Sequence, residues 1–157
     1  MSLSFETIQP TDYQQVDQLV QAAFEPVEDS QGNEVDLIHQ LRKTYDYQAS
    51  LEVVAKPSID TIVGHGLLSP VMIRGNRHTT TIVALAPLAV APDWQGQGVG
   101  SELLSELETR ARMAGFAAVS VVGDMTYYGG RGYVMAEDFA IHNSCLLYTS
   151  PSPRDRG

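Results

Sequence analysis

The chain has 157 residues, of which 43% are hydrophobic and 18% charged, and its net charge at pH 7 is −9. This size and composition fit one globular domain that can bury a core without disulfides, and they exclude an intrinsically disordered chain. The acidic balance argues against a nucleic-acid partner, since that requires a basic face, and it suits solubility or a cationic substrate such as an amine.

Residues that build disulfides, metal sites and membrane anchors are sparse in the sequence. Cys145 is the single cysteine, so no internal disulfide can form, and the four histidines lack zinc-ligand spacing. The first residues lack a signal-peptide pattern, and no apolar run approaches about 18 residues. We therefore expect a cytoplasmic protein without a bound metal and without a membrane partner.

The N-terminal half predicts a strand, two helices and two further strands. Ser2–Ile8 alternates apolar and polar residues as a strand does, whereas Asp12–Phe24 has the apolar spacing of an amphipathic helix. A second helix is predicted over Glu34–Thr44 after an acidic, turn-rich stretch. Leu51–Ala55 and Thr61–Met72 then predict two strands joined by a short turn.

The C-terminal half alternates strands and helices. Thr80–Val90 is a nearly continuous apolar run, and Pro87 inside it predicts a bulge or an interrupted edge, because proline has no N–H for a sheet ladder. Gly98–Ala114 predicts a long helix, Ala117–Val122 a short buried strand and Tyr133–Ile141 a last strand. This order predicts an α/β (α+β) fold, a mixed sheet with helices on its faces.

The end of the chain differs from the rest. Residues 145–157 contain Pro151 and Pro153 and show no periodicity. We interpret residues 1–144 as the domain and 145–157 as a foreign tail joined to a truncated domain, with a genuine disordered terminus as the alternative. In that interpretation the sheet lacks its closing strand, unless Leu146–Thr149 supplies it.

The most informative segment is the glycine loop, residues Gln95–Ser101, which joins a predicted strand to the long helix. Its three glycines allow a ligand to approach the backbone, and the helix N-terminus favours anions, so a pyrophosphate is the expected ligand. No lysine follows as a P-loop requires, and the glycine spacing does not match a dinucleotide fingerprint.

The pattern Gln95-x-x-Gly98-x-Gly100 resembles the Q/R-x-x-G-x-G/A signature of the GNAT superfamily of N-acetyltransferases. The resemblance extends from Ala84 to Tyr133 and is closest to the YhbS-like branch of small bacterial proteins. It implies a mixed, mostly antiparallel sheet flanked by helices, here truncated at the C-terminal strand. It also implies acetyl-CoA as the co-substrate.

The resemblance further implies which residues bind the cofactor. The backbone of Leu88, Ala89 and Val90 would pair with the pantetheine arm on a splayed strand, and Ala117–Val122 would diverge from that strand to leave a V-shaped slot. The pyrophosphate would be held by the N–H groups of the glycine loop, which are those of Gln95, Gly96, Gln97, Gly98, Val99, Gly100 and Ser101.

Two catalytic residues follow from the same resemblance. Tyr128 lies four residues before Gly132-Tyr133, the family's spacing for the tyrosine that protonates the departing thiolate. Asp124, at the end of a predicted strand, is a candidate to deprotonate the amine, although it could instead cap the following turn. Glu25 and Glu28 are the other candidates for the base. The family's Gly-Arg pair is shifted here to Gly130-Arg131.

The resemblance implies an N-acetyltransferase that moves an acetyl group from acetyl-CoA to a primary amine by direct attack. The expected amine belongs to a small molecule or a peptide. The resemblance is also compatible with a homodimer, because dimers are common among relatives. The alternative is a non-catalytic acyl-CoA-binding sensor or interaction module. A nicotinamide-dependent oxidoreductase is a third alternative, which requires NAD to bind more tightly than CoA.

Overall fold

A computed structural model describes residues 2–26, 32–75 and 79–121, together with the backbone of two short strands nearer the C-terminus. The helices of this part are α1 (Tyr13–Phe24), α2 (Glu34–Arg42) and α3 (Val99–Met113). Its strands are β1 (Ser4–Thr7), β2 (Glu52–Lys56), β3 (Gly64–Arg74), β4 (Thr79–Leu85), β5 (Ala89–Val90), β6 (Ala118–Val121), β7 (Val134–Met135) and β8 (Leu146–Thr149).

The strands form one eight-stranded sheet in the order β1-β2-β3-β4-β6-β8-β7, with β5 paired to β3. Neighbouring strands are antiparallel except β4 and β6, which are parallel. The predicted mixed, mostly antiparallel sheet flanked by helices is therefore confirmed. Leu146–Thr149 lies in this sheet between β6 and β7, while the boundary at residue 144 and the origin of residues 145–157 stay predictions.

Helix α1 shows how local chemistry sets the ends of the predicted elements. It begins at Tyr13, directly after a 3-10 turn over Pro10–Asp12. The Asp12 carboxylate accepts a hydrogen bond from the Gln9 N–H at 2.9 Å, which closes this turn against the sheet. The predicted apolar positions of α1 are all buried: Val16, Leu19, Val20 and Ala23.

The sheet separates two layers of apolar side chains. On one face, α3 buries Leu103, Leu104 and Leu107 against β2, β3, β4 and β6. On the other face, α1 and α2 cover a second cluster that includes Val54, Leu67 and Ala89. Because side chains alternate along a strand, β2 and β3 contribute to both layers.

Two glycines in β3 set the distance between α3 and the sheet. A Cβ on Gly66 would lie 2.6 Å from Leu107 Cδ1 and 2.9 Å from Leu88 Cδ1. A Cβ on Gly64 would lie 3.2 Å from Val99 Cγ1. The first turns of α3, and the glycine loop before them, therefore sit close to the sheet because these positions carry no side chain.

We predict that Gly66→Ala lowers the free energy of unfolding by about 1–3 kcal/mol, because the methyl group displaces Leu107 and Leu88. Urea denaturation measures this loss. Gly100→Ala is the matched control, since its Cβ would lie at ordinary contact distances of 3.6 Å and 3.8 Å from Val90 and Leu88. Equal unfolding midpoints for the two variants would contradict the packing argument.

Candidate active site

The strand that was predicted as one apolar run is broken at Pro87. Strand β4 ends at Leu85, and β5 begins only at Ala89. Before the break, β4 pairs with β6 through Val83 and Ala84. After the break, β5 pairs with β3, and within the described residues no strand pairs with its other edge. The described pairing with β6 thus ends at Ala84. The predicted divergence of Ala117–Val122 from this strand stays a prediction, because residues 122–133 lie outside the described part.

The glycine loop follows β5 closely along the chain. A 3-10 turn over Pro92–Trp94 leads into it, and α3 begins at Val99. Gly96 has a φ of 78° and Gly98 a φ of 87°, both in the left-handed region that favours glycine. These two glycines therefore set the path of the chain into the helix.

Two glutamine side chains fix the loop from within. Gln95 Nε2 donates to the Val90 carbonyl at 3.0 Å, and Gln97 Nε2 donates to the Asp93 carbonyl at 3.1 Å. The Gln95 side chain thereby ties the loop to β5. We infer that the glutamine of the Gln95-x-x-Gly98-x-Gly100 pattern acts here through this bond, whereas the sequence predicted a role for its backbone N–H.

The N–H groups of the loop are available to an anion. Among the described residues, no backbone carbonyl accepts from the N–H groups of Gly96, Gln97, Gly98, Val99 or Gly100, and Gly98 has no side-chain cap. These donors lie at the positive end of α3, where negative charge is stabilised. They border a depression of about 240 Å³ that is lined by Val90, Trp94, Gln95, Gly96, Gly98, Val99, Gly100 and Ser101.

A larger cavity of about 620 Å³ lies between α1 and α2. Its lining residues are Asp17, Gln21, Phe24, Glu25, Gly32, Glu34, Val35 and Asp36. Phe24 and Val35 also pack on the buried cluster that contains Ala89, so this cavity and β5 share one layer of the fold. Glu25, one candidate for the base, lines the cavity, whereas Glu28 lies outside the described residues.

Both predicted catalytic residues, Tyr128 and Asp124, also lie outside the described residues, and their roles stay predictions. In the described part of the chain, no group of three or more His, Cys, Asp or Glu residues could hold a metal ion. Among the described helices, none is long and apolar enough to cross a membrane.

Comparison with known proteins decides the family. Residues 13–127 match the family model described as Acetyltransferase (GNAT) family. The chain is 32% identical to the uncharacterized N-acetyltransferase YhbS of Escherichia coli K12 over 127 residues, 81% of this chain and 71% of YhbS. The chain belongs to the GNAT family of acetyltransferases.

Other relatives agree with this membership. The uncharacterized N-acetyltransferase YjhQ of Escherichia coli K12 is 33% identical over 100 residues, which are 64% of this GNAT chain but only 55% of YjhQ. A GNAT acetyltransferase from Brucella melitensis, solved in complex with acetyl-CoA, has a TM-score of 0.79 at 25% identity and covers 96% of this chain and 90% of its own.

The crystal structure of Escherichia coli YhbS in complex with CoA has the same TM-score, 0.79, at 25% identity. The match covers 94% of this chain and 81% of that one. The resemblance to the YhbS-like branch that the glycine loop indicated is therefore confirmed in both sequence and fold.

This chain also buries a charged cluster that sequence patterns did not predict. We call Arg42, Tyr47, Glu52 and His65 the Glu52 cluster. Glu52 is fully buried at the start of β2, and it accepts hydrogen bonds from Arg42 Nη2 at 2.7 Å, Tyr47 OH at 2.6 Å and His65 Nε2 at 2.8 Å. The Arg42 guanidinium also stacks on the Tyr13 ring, 4.0 Å from its centroid.

These bonds keep the buried carboxylate ionised. Burial raises the pKa of Glu52, but the bonds from His65, Arg42 and Tyr47 outweigh it and lower this pKa from 4.5 to about 2. Burial and the bond to Glu52 raise the pKa of Tyr47 well above 10.0, so the phenol stays protonated and donates. The cluster thus couples α2 and the loop after it to β2 and β3.

We predict that Glu52 contributes pH-dependent stability. Because its folded pKa lies below its unfolded value, the contribution is present above pH 4.5 and is lost as the pH falls from 4.5 towards 2. The loss is on the order of 3 kcal/mol. Glu52→Gln should lack this acid-dependent loss and should be less stable than the wild type at pH 7, since Arg42 would lose its charged partner.

Urea unfolding of the wild type and Glu52→Gln at a series of pH values measures the difference in their free energies of unfolding. The control is Glu106→Gln, which removes the ion pair of Glu106 with Arg110 on the surface of α3, a pair worth about 0.3–0.5 kcal/mol. Parallel stability curves for the wild type and Glu52→Gln below pH 4.5 would refute the assignment.

Proposed function

We propose that this GNAT chain is an N-acetyltransferase that moves an acetyl group from acetyl-CoA to a primary amine by direct attack. One observation carries the proposal: β5, whose second edge pairs with no described strand, leads into a loop in which no described carbonyl accepts from the N–H groups of Gly96, Gln97, Gly98, Val99 or Gly100. The first feature suits a chain of amide groups such as pantetheine, and the second suits a pyrophosphate.

The residues of the loop fit such a ligand. Gly96, Gly98 and Gly100 present no side chain between the ligand and the backbone. The bond from Gln95 to Val90 holds the loop in this shape before a ligand arrives, so less order must be gained on binding. We propose that the N–H groups of Gln95–Ser101 bind the pyrophosphate and that the backbone of Leu88, Ala89 and Val90 binds the pantetheine arm.

The chemistry requires an amine that has lost its charge and a thiolate that gains a proton. The amine nitrogen attacks the thioester carbonyl, whose developing charge the N–H groups of the splayed strand would stabilise. The C–S bond then breaks, and Tyr128 is the proposed donor to the thiolate, since a phenol is protonated at neutral pH. Asp124, Glu25 and Glu28 are proposed candidates for the group that deprotonates the amine.

The first measurement is a thermal melt of the full chain with acetyl-CoA, with NAD and with neither. Ligand at 100 times its dissociation constant adds about 2.7 kcal/mol, so acetyl-CoA should raise the Tm by several degrees. NAD should leave it unchanged. A Tm that does not respond to acetyl-CoA would overturn the cofactor assignment.

We next predict that the protein releases CoA thiol from acetyl-CoA when an amine acceptor is present. The amine panel consists of spermidine, tyramine, kanamycin and a short peptide with a free N-terminus. Tyr128→Phe should lower turnover by about 10²–10⁴ without changing the shift in Tm caused by acetyl-CoA. A protein that binds acetyl-CoA but acetylates none of these amines would instead favour the sensor alternative.

We also predict that Gly98→Ala weakens acetyl-CoA binding about tenfold. An alanine at its φ of 87° is strained by about 1–2 kcal/mol, so the loop would shift and misplace its N–H groups. Gly115→Ala is the matched control, because its φ of 91° is strained in the same way at the far end of α3. Titration calorimetry should show an altered Kd for the first variant only.

A further inference from the structure

We propose that Trp94 stacks on the adenine ring of acetyl-CoA and thereby favours CoA thioesters over thioesters of phosphopantetheine alone. This inference rests on the proposed function and adds to it a residue that determines which acyl donor is bound. Three observations carry it. Trp94 lines the depression at the glycine loop, its side chain is only partly buried, and none of the described residues that line this depression is charged.

The depression at the glycine loop combines two kinds of surface. Gly98, Val99 and Gly100 line it, and no described backbone carbonyl accepts from their N–H groups. Two apolar residues, Val90 and Trp94, line the same depression. A phosphate gains nothing from apolar side chains, because its charge loses hydration beside them. The depression therefore suits a ligand that carries an anionic group and an apolar group close together, as a nucleotide does.

The backbone of Trp94 is held in place by hydrogen bonds. Trp94 ends the 3-10 turn that begins at Pro92, and its N–H donates to the Ala91 carbonyl at 2.8 Å. The Ala91 N–H donates in turn to the carbonyl of Val63, the residue before β3, at 2.9 Å. Because the turn is tied to the sheet in this way, little further ordering of Trp94 is needed when a ligand binds.

The side chain of Trp94 has apolar surface left for a ligand. It packs against a buried cluster of Ala55, Val63 and Val99, yet it stays half-exposed. An indole ring is large and rigid, so covering its exposed part with another flat ring gains free energy at a low cost in conformational entropy. In CoA a single ribose separates the pyrophosphate from the adenine, which is the flat ring that suits this surface.

The lack of charge in the depression distinguishes the adenine of CoA from the phosphate on its ribose. Among the described residues that line the depression, none is a lysine or an arginine. Cationic side chains are the groups that recognise a phosphate most strongly outside a helix N-terminus. We therefore expect the adenine to contribute to affinity through Trp94, and the ribose phosphate to contribute little.

The test titrates three ligands into the wild type, Trp94→Leu and Trp94→Phe. The ligands are acetyl-CoA, dephospho-CoA, which lacks the phosphate on the ribose, and phosphopantetheine, which lacks the adenosine. Trp94→Leu keeps an apolar side chain for the buried cluster but has no ring, whereas Trp94→Phe keeps an aromatic ring and is the matched control. Titration calorimetry gives each Kd, and a thermal melt without ligand checks that each variant folds.

We expect Trp94→Leu to weaken the binding of acetyl-CoA and dephospho-CoA about 5- to 150-fold, the range that corresponds to stacking on one base. The Kd of phosphopantetheine should not change, and Trp94→Phe should keep most of the affinity for all three ligands. Trp94 is the single tryptophan of the chain, so tryptophan fluorescence reports on this position. Acetyl-CoA and dephospho-CoA should both quench this emission, whereas phosphopantetheine should not.

The outcomes separate this inference from the proposed function. A wild-type Kd for acetyl-CoA in Trp94→Leu, or equal losses in Trp94→Leu and Trp94→Phe, would overturn the role of Trp94 and leave the cofactor assignment intact. Equal weakening of acetyl-CoA and phosphopantetheine would also overturn it, because the substitution would then act by distorting the glycine loop. Should Trp94→Leu not fold, unchanged Trp94 emission at saturating acetyl-CoA would overturn it equally. If acetyl-CoA does not bind the wild type, the proposed function fails and this inference fails with it.

Discussion

Pro87 imposes the constraint on which the rest of the candidate site depends. A proline lacks the N–H that a central strand needs, so β4 cannot continue through it beside β6. The chain resumes as Ala89–Val90, which pairs with β3 among the described strands. The described parallel pairing of β4 with β6 ends at Val83 and Ala84. The glycine loop then follows an edge of β5 that no described strand pairs with and leads into the N-terminus of α3.

The two faces of the sheet are packed under different physical requirements. On the α3 face the need is close approach, which Gly64 and Gly66 provide by omitting side chains. On the α1 and α2 face the sheet carries a buried carboxylate, and its desolvation must be offset by several donors at once. Arg42, Tyr47 and His65 supply them, from three separate parts of the chain. Losing one donor therefore disturbs a network, whereas the loss of a surface pair such as Glu106–Arg110 disturbs little.

Sequence patterns predicted those features that depend on neighbours along the chain. The apolar spacing of α1 placed its four buried residues correctly, Pro87 predicted the break, and the glycines predicted the loop before α3. Element ends were less certain: β3 begins at Gly64 rather than Thr61, after the Val63 N–H has bonded to the Ala55 carbonyl.

The Glu52 cluster was missed because its bonds join residues 10, 5 and 13 positions from Glu52, which periodicity cannot relate. A glutamate inside the apolar run of β2 was the one signal that could have indicated it.

Strand β3 explains how these separate features are positioned together in the fold. Its residues alternate between the faces, so Gly64 and Gly66 point to α3 while His65 and Leu67 point to α1 and α2. The close packing that positions the glycine loop and the buried imidazole beside Ala89 therefore follow from a single register. A slip by one residue would place His65 against Leu103 and Leu107 and would leave Glu52 without its partner. The pairing of Ala55 with Gly64 and of Val54 with His65 consequently stabilises the loop and the Glu52 cluster together, although the two lie on opposite faces of the sheet.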